Sequence, residues 1–214
     1  MALASCSQSD VTKESPKDSE SVENVIMARR SIRQYTKQTI SRDTLDQIIK
    51  CGINAPNGQN RQAYEIRIVN NPQLLKDISD AVLKDNKDMS LKPGADNIFF
   101  GATTVVFIGN DTSYDMSQID CGLLGENIML SAWEKGIGSC CMAFPIRLMK
   151  ESETCAPLIQ KLGFSAGYNL LYCIAMGYPN ENPDAKPRIS GLKEEKIDSS
   201  SKNTFSLVLP IGSF

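Results

Sequence analysis

The chain of 214 residues contains no histidine. That absence removes Ser-His-Asp and Cys-His nucleophilic catalysis, together with the usual general base near neutral pH. The seven cysteines, at positions 6, 51, 121, 140, 141, 155 and 173, form no Cys-x-x-Cys pair. Without histidine or paired thiols no metal site is expected. An odd, irregularly spaced set fits reduced, mostly buried thiols rather than a disulfide framework, and the adjacent Cys140 and Cys141 are expected to pack as small apolar residues. Long apolar runs are missing too. The stretches 104–108 and 170–176 are far shorter than the ~20 residues of a membrane-spanning helix. Neither charge sign is in excess. A net charge of −2 with dispersed basic residues gives no nucleic-acid footprint and no acidic tail, so the expected partner is a small molecule.

What is present suffices for one core, since 41% of the residues are hydrophobic and a chain of this length buries most of its apolar surface. Residues 1–21 read as a flexible polar leader and 22–214 as a single domain. Leu3-Ala4-Ser5-Cys6 is similar to the end of a bacterial lipoprotein signal, where the cysteine is lipidated. Two localisations follow: cytoplasmic if Met1 is the native start, lipid-anchored and periplasmic through Cys6 if a signal has been removed.

Beyond the leader the apolar spacing predicts a short helix from Val22 to Arg29, with Ser21 as N-cap, and a second helix after Ser41 with Leu45, Ile48, Ile49 and Ile53 on one face. Asn54-Ala55-Pro56-Asn57-Gly58 ends it. Tyr64, Ile66 and Ile68 alternate as a half-buried strand, and Asn71-Pro72 opens a helix to about Asp85. A buried strand at 103–108 precedes the longest helix, about Met116 to Lys135, whose apolar residues spread so widely that burial on more than one side is expected. Gly136-Ile137-Gly138 closes it. Then come an extended piece at 139–142, short helices near Arg147 and at 154–162, and a strong strand at 168–176. Past a polar segment, Phe205, Leu207, Val208, Leu209, Ile211 and Phe214 form an apolar tail suited to covering another subunit.

Three segments concentrate polar chemistry. Arg29-Arg30-Ser31-Ile32-Arg33 sets three guanidinium groups and a hydroxyl at the end of a helix, a set that binds phosphate and stacks on flat rings, although a solvated basic turn would look the same. Ala55-Pro56-Asn57-Gly58-Gln59-Asn60-Arg61-Gln62 is a carboxamide-rich turn able to read the edge of a heterocycle, or an ordinary loop. Lys186-Pro187-Arg188, beyond Gly177-Tyr178-Pro179, offers two cations, or two exposed side chains.

Their order resembles the nitroreductase family from about Val22 to Arg188. In that family an Arg-Arg/His-Ser-x-Arg/Lys start precedes a Pro-polar-polar-x-Asn-x-Gln turn. A long helix follows with an acidic start, a central Asn and a Gly-rich exit, here Asp120, Asn127 and Gly136-Ile137-Gly138, and then a Gly-x-Pro and a Lys-x-Arg. The resemblance implies an α+β fold with a mostly antiparallel central sheet, helices on both sides, and an intertwined homodimer through the long helix. It implies FMN shared between subunits, with NADH or NADPH as electron donor and a nitroaromatic, quinone or similar small electrophile as acceptor. Arg29, Lys186 and Arg188 would hold the phosphate. Arg30, Ser31 and Arg33 would line the phosphate-to-pyrimidine side of the flavin, and Pro56, Asn57, Gly58 and Asn60 would come from the partner chain. Flavin N5 would carry the chemistry, with no side chain as catalytic acid or base. Where relatives often place an acidic residue and a glycine near N5, this chain has Cys140, Cys141, Met142, Ala143 and Phe144, so a backbone N–H of Ala143 or Phe144 is expected there. That departure leaves room for other flavin chemistry, dehydrogenation or flavin fragmentation, or for a binding protein without catalysis.

Overall fold

The computed structural model describes residues 21–188, together with the backbone of two short strands at 193–196 and 205–208. The leader with Cys6, and the tail residues Leu209, Ile211 and Phe214, lie outside the described residues.

Helix α1, Val22–Ala28, starts where Ser21 accepts a hydrogen bond from the Asn24 amide, one of the N–H groups a helix start leaves without an internal partner. Helix α2, Arg42–Ile53, is capped in the same way by Ser41 on Thr44, and α3, Pro72–Asp85, by Asn71 on Leu74 with proline in the first turn. The longest helix, α4, is Ser117–Glu134. Its exit is a left-handed Gly136, φ 71°, with the Gly136 amide on Trp133 O and the Ile137 amide on Ala132 O. Two short helices, α5 at Phe144–Glu151 and α6 at Ala156–Lys161, follow.

Strands β1, Tyr64–Val69, β2, Thr104–Asp111, β3, Gly138–Met142, and β4, Tyr168–Gly177, form one sheet in the order β1-β2-β4-β3. Every pairing within it is antiparallel. The central strand β2 is buried almost throughout because both faces are covered. One face carries Phe107, Cys173 and Ala175 into a core with Leu75, Ile78 and Val82 of α3 and Ile146 and Met149 of α5. The opposite face carries Val106, Ile108 and Ile174 into a core with Leu45 and Ile48 of α2 and Leu124 and Ile128 of α4. The expected α+β arrangement, an antiparallel sheet with helices on both sides, is the observed one.

Two readings need correction. Ile53, expected on the buried face of α2, is 46% exposed, because the helix ends there and nothing packs beyond it. Within one chain α4 buries Cys121, Leu124 and Ile128 and turns Met116, Ile119 and Leu123 outward. Among the described cysteines, Cys121, Cys140, Cys155 and Cys173 are buried as expected, but Cys51 and Cys141 are exposed, the latter since strand alternation sends it away from the face that buries Cys140.

The residues group into two compact units, one ending at Pro183 and the other beginning at Asp184. Within the second, strands β5, Lys193–Lys196, and β6, Phe205–Val208, pair antiparallel.

Candidate functional site

The chain leaves α1 at Arg29 in an extended conformation and runs along the sheet edge as a strap. Ser31 bridges Ser139 of β3, the Ile32 amide donates to Ser139 O at 2.9 Å, and Tyr35 bridges Pro179. Ile32 is 1% exposed and anchors the strap; Gly138 makes room for it, since a Cβ there would lie 2.8 Å from Ile32 Cγ1. Tyr35 is buried as well and donates its hydroxyl to Ile32 O at 2.6 Å. Alternation around these anchors leaves Arg33 exposed.

Arg33 lines a cavity of about 400 Å³ together with the exit of β3 and the start of α5, from Cys140 to Pro145. The size suits a small-molecule site. Five of the residues singled out in the sequence, Arg33, Cys141, Met142, Ala143 and Phe144, therefore meet in one place. Ala143 stands at the N-cap of α5 with no side-chain capping bond, so first-turn amides of that helix face the cavity region without an i−4 acceptor. The remaining wall, which the sequence reading missed, is the segment between α3 and β2, including Met89, Leu91, Lys92 and Phe100.

The other arginines of the strap are differently placed. Arg29, with only 20% of its side chain exposed, lies 3.7 Å from Glu126 of α4. Arg30 donates to Met27 O at 2.7 Å and Arg29 O at 2.9 Å, satisfying carbonyls at the end of α1. Ser31 is half-buried beside β3. Arg29 and Arg33 both lie close enough to Cys140 to favour its thiolate, yet loss of hydration prevails and the thiol is pushed up. Cys141 is also pushed up by loss of hydration, reinforced by Cys140 and Glu126 and opposed by Arg29.

The carboxamide turn lines none of these walls in the same chain. It is locally rigid: Gln59, Asn60 and Gln62 hold left-handed φ values of 56°, 53° and 50°. Such backbone persists only where neighbours over-determine it. Here the Gly58 amide donates to Asp120 Oδ1 at 3.0 Å, the Gln62 amide to Asn57 Oδ1 at 2.9 Å, and Arg61 stacks 4.5 Å from the Tyr114 ring. Tyr114 packs closely over Gly58, where a Cβ would fall 2.0 Å from Tyr114 Oη and the ring would have to shift. Asp120 and Asn127 thus act as fasteners: Asn127 Nδ2 donates to Cys51 O at 3.3 Å, and Asp120 Oδ2 stays buried without a partner. Lys186 and Arg188 are exposed residues of the second unit.

The donor set has one chemical sense. Guanidinium groups along the strap and free amides at the β3 exit suit a flat, anionic, hydrogen-bond-accepting ligand. Comparison with known proteins agrees with this fold. The Nitroreductase family model matches residues 26–178, and the chain belongs to that family. A protein of Archaeoglobus fulgidus, provisionally assigned as an NADH dehydrogenase/NAD(P)H nitroreductase, is 29% identical over 163 residues, 75% of this chain and 86% of its own. An FMN-dependent nitroreductase from Clostridium difficile superposes with a TM-score of 0.68 at 26% identity, covering 83% of this chain and 98% of that one. A nitroreductase with bound FMN from Desulfitobacterium hafniense has a TM-score of 0.70 at 24% identity, covering 81% and 98%, a likeness of fold.

Proposed function

We propose that this chain is an FMN-dependent oxidoreductase that takes electrons from NADH or NADPH and passes them to a small electrophile of the nitroaromatic or quinone class. The observation that carries this reading is the cavity that Arg33 lines together with the β3 exit, in a chain of the Nitroreductase family. FMN, when bound, supplies two-electron hydride chemistry at N5. The protein supplies binding and electrostatics. Arg33 brings a fixed positive charge to the cavity wall, which favours negative charge on the ligand. The amides of Ala143 or Phe144 would offer hydrogen bonds at the β3 exit. Arg30 and Ser31 would hold the ligand along the strap. No histidine is required, because hydride transfer needs no protein base. One slot serving donor and acceptor in turn would give ping-pong kinetics.

The full site would draw on a second copy of the chain. Helix α1 packs on α4, and both turn apolar side chains outward: Val22 is 73% exposed, Met27 70%, Ile119 59% and Leu123 41%. Exposed apolar surface of this kind is what a subunit interface covers. The turn with Pro56, Asn57, Gly58 and Asn60, rigid and away from its own chain's cavity, would then serve the cavity of the partner.

Arg29, Lys186 and Arg188 would hold the phosphate, and substitution tests this. Arg29→Ala removes one long, half-buried ion pair with Glu126 and no residue of the apolar core, and Arg188→Ala removes an exposed side chain, so the fold should be retained. Each should cost FMN about 1.5–3 kcal/mol of binding, or about one to two decades in affinity. Lys84→Ala, exposed on α3, serves as the control. Loss of flavin colour with an unchanged far-UV spectrum is expected in the two arginine variants; FMN bound as tightly as in the parent would place the phosphate elsewhere.

A further inference from the structure

Phe100 stands in the cavity wall in a conformation that a bulky aromatic rarely adopts, with φ at 60° followed by Gly101 at 73°. The turn around it is built to hold that state. Asn97 is buried, and its Oδ1 accepts the amides of Phe99 at 3.0 Å and Gly101 at 3.1 Å while its Nδ2 donates to Ala102 O at 3.3 Å. Phe99 is fully buried and meets Phe107 edge to face at 5.7 Å, so one phenylalanine anchors the turn in the core and the next is presented to the cavity. An aromatic held against its backbone preference beside a candidate site is strain that the surrounding contacts sustain.

Two cations flank that ring. Arg33 Cζ lies 6.0 Å from its centroid and Lys92 Nζ 5.9 Å, both at the outer range of cation–aromatic attraction. The rest of the wall is largely apolar, with Met89, Leu91 and Met142, and among the described residues no carboxylate lines this cavity. Glu181 lines an adjoining cavity that Arg33, Lys92 and Phe100 also border, where it accepts the Arg33 amide. Asp96 is paired with Lys37 at 2.6 Å. If Arg33 serves the flavin, Lys92 is left for the second molecule in the slot.

We propose that the acceptor is an aromatic compound bearing an anionic group, its ring resting on Phe100 and its charge met by Lys92, which makes Lys92 a specificity-determining residue. This rests on the oxidoreductase reading for the word acceptor, but not for the binding it asserts. An apolar wall with a ring favours any flat aromatic; the lysine distinguishes those that carry a carboxylate or sulfonate.

The test is calorimetric titration of the purified protein with 4-nitrobenzoate and with nitrobenzene, flavin content being read separately from the visible spectrum. The parent should bind 4-nitrobenzoate about tenfold more tightly, as one charge-assisted contact at a partly solvated site provides. Lys92→Met should bring that ratio close to one, and added salt should lower it in the parent alone. Phe100→Leu, which keeps bulk but loses the aromatic face, should weaken both ligands several-fold. Equal binding of the two ligands by the parent, or a preference that survives Lys92→Met, overturns the proposal. A colourless protein unable to take up FMN would instead overturn the flavin reading and leave the binding ratio to be judged on its own.

Discussion

Asp85 shows how a single side chain can join elements that the sequence does not visibly connect. At the end of α3 it accepts hydrogen bonds from the Ser152 hydroxyl at 2.6 Å, the Thr154 amide at 3.1 Å and the Thr154 hydroxyl at 2.9 Å. These donors, Ser152 first, hold the carboxyl below its usual range. Because the folded value is the lower one, the unfolded chain binds more protons between the two values. The contribution is then complete above the ordinary aspartate range and is lost as pH falls through the folded value. Denaturation midpoints at about pH 6 and about pH 3 should therefore differ more for the parent than for Asp85→Asn, and equal differences would show that the contact is idle. The thiols are a quieter matter. Burial pushes Cys121 up to about 12 and Cys155 up to about 11, which leaves them protonated and inert near neutral pH. At this scale the sequence pointed to Arg33 through its motif and to Cys141–Phe144 through their position in the resemblance, and these residues line one cavity. It did not identify Phe100 or Lys92, since a positive φ in a phenylalanine and a lysine beside a ring arise from tertiary packing and leave no periodic trace.

At the scale of elements, legibility followed the strength of the local signal. Ser21, Ser41 and Asn71 each marked a helix start correctly, since a side-chain oxygen followed by an apolar period has few other uses. The segment between α3 and β2 has no such signal, and its turns depend on Asn97 and on glycines, so half of the cavity wall stayed invisible. Close packing between elements was equally hidden. Gly125 of α4 meets Tyr172 of β4, whose hydroxyl donates to Cys121 O at 2.5 Å, and a Cβ at position 125 would fall 2.0 Å from that hydroxyl oxygen. Gly125→Ala therefore gains helix propensity but forces α4 from the sheet or breaks the hydrogen bond. Overpacking of this kind costs about 1–3 kcal/mol, more than the ~1 kcal/mol that alanine gains over glycine in a helix. A lower denaturation midpoint is expected for Gly125→Ala, and a midpoint at or above the parent's would show that Tyr172 can move aside freely.

For the whole molecule, the sequence order of motifs was more informative than any one motif. The strap, the carboxamide turn, the long helix and the β3 exit lie far apart in the chain, yet the strap and the β3 exit meet at one cavity while the turn stands apart on α4. That division makes sense if two copies exchange turns, and the outward apolar faces of α1 and α4 offer the surface for it. The proposed flavin site therefore needs two chains. Sedimentation velocity of the purified, FMN-loaded protein, followed at flavin absorbance, tests it directly. Bound flavin is expected to sediment with a species of twice the chain mass and to be released as dilution drives the dimer apart; flavin that stays bound to a single-chain species would rule out a two-chain site.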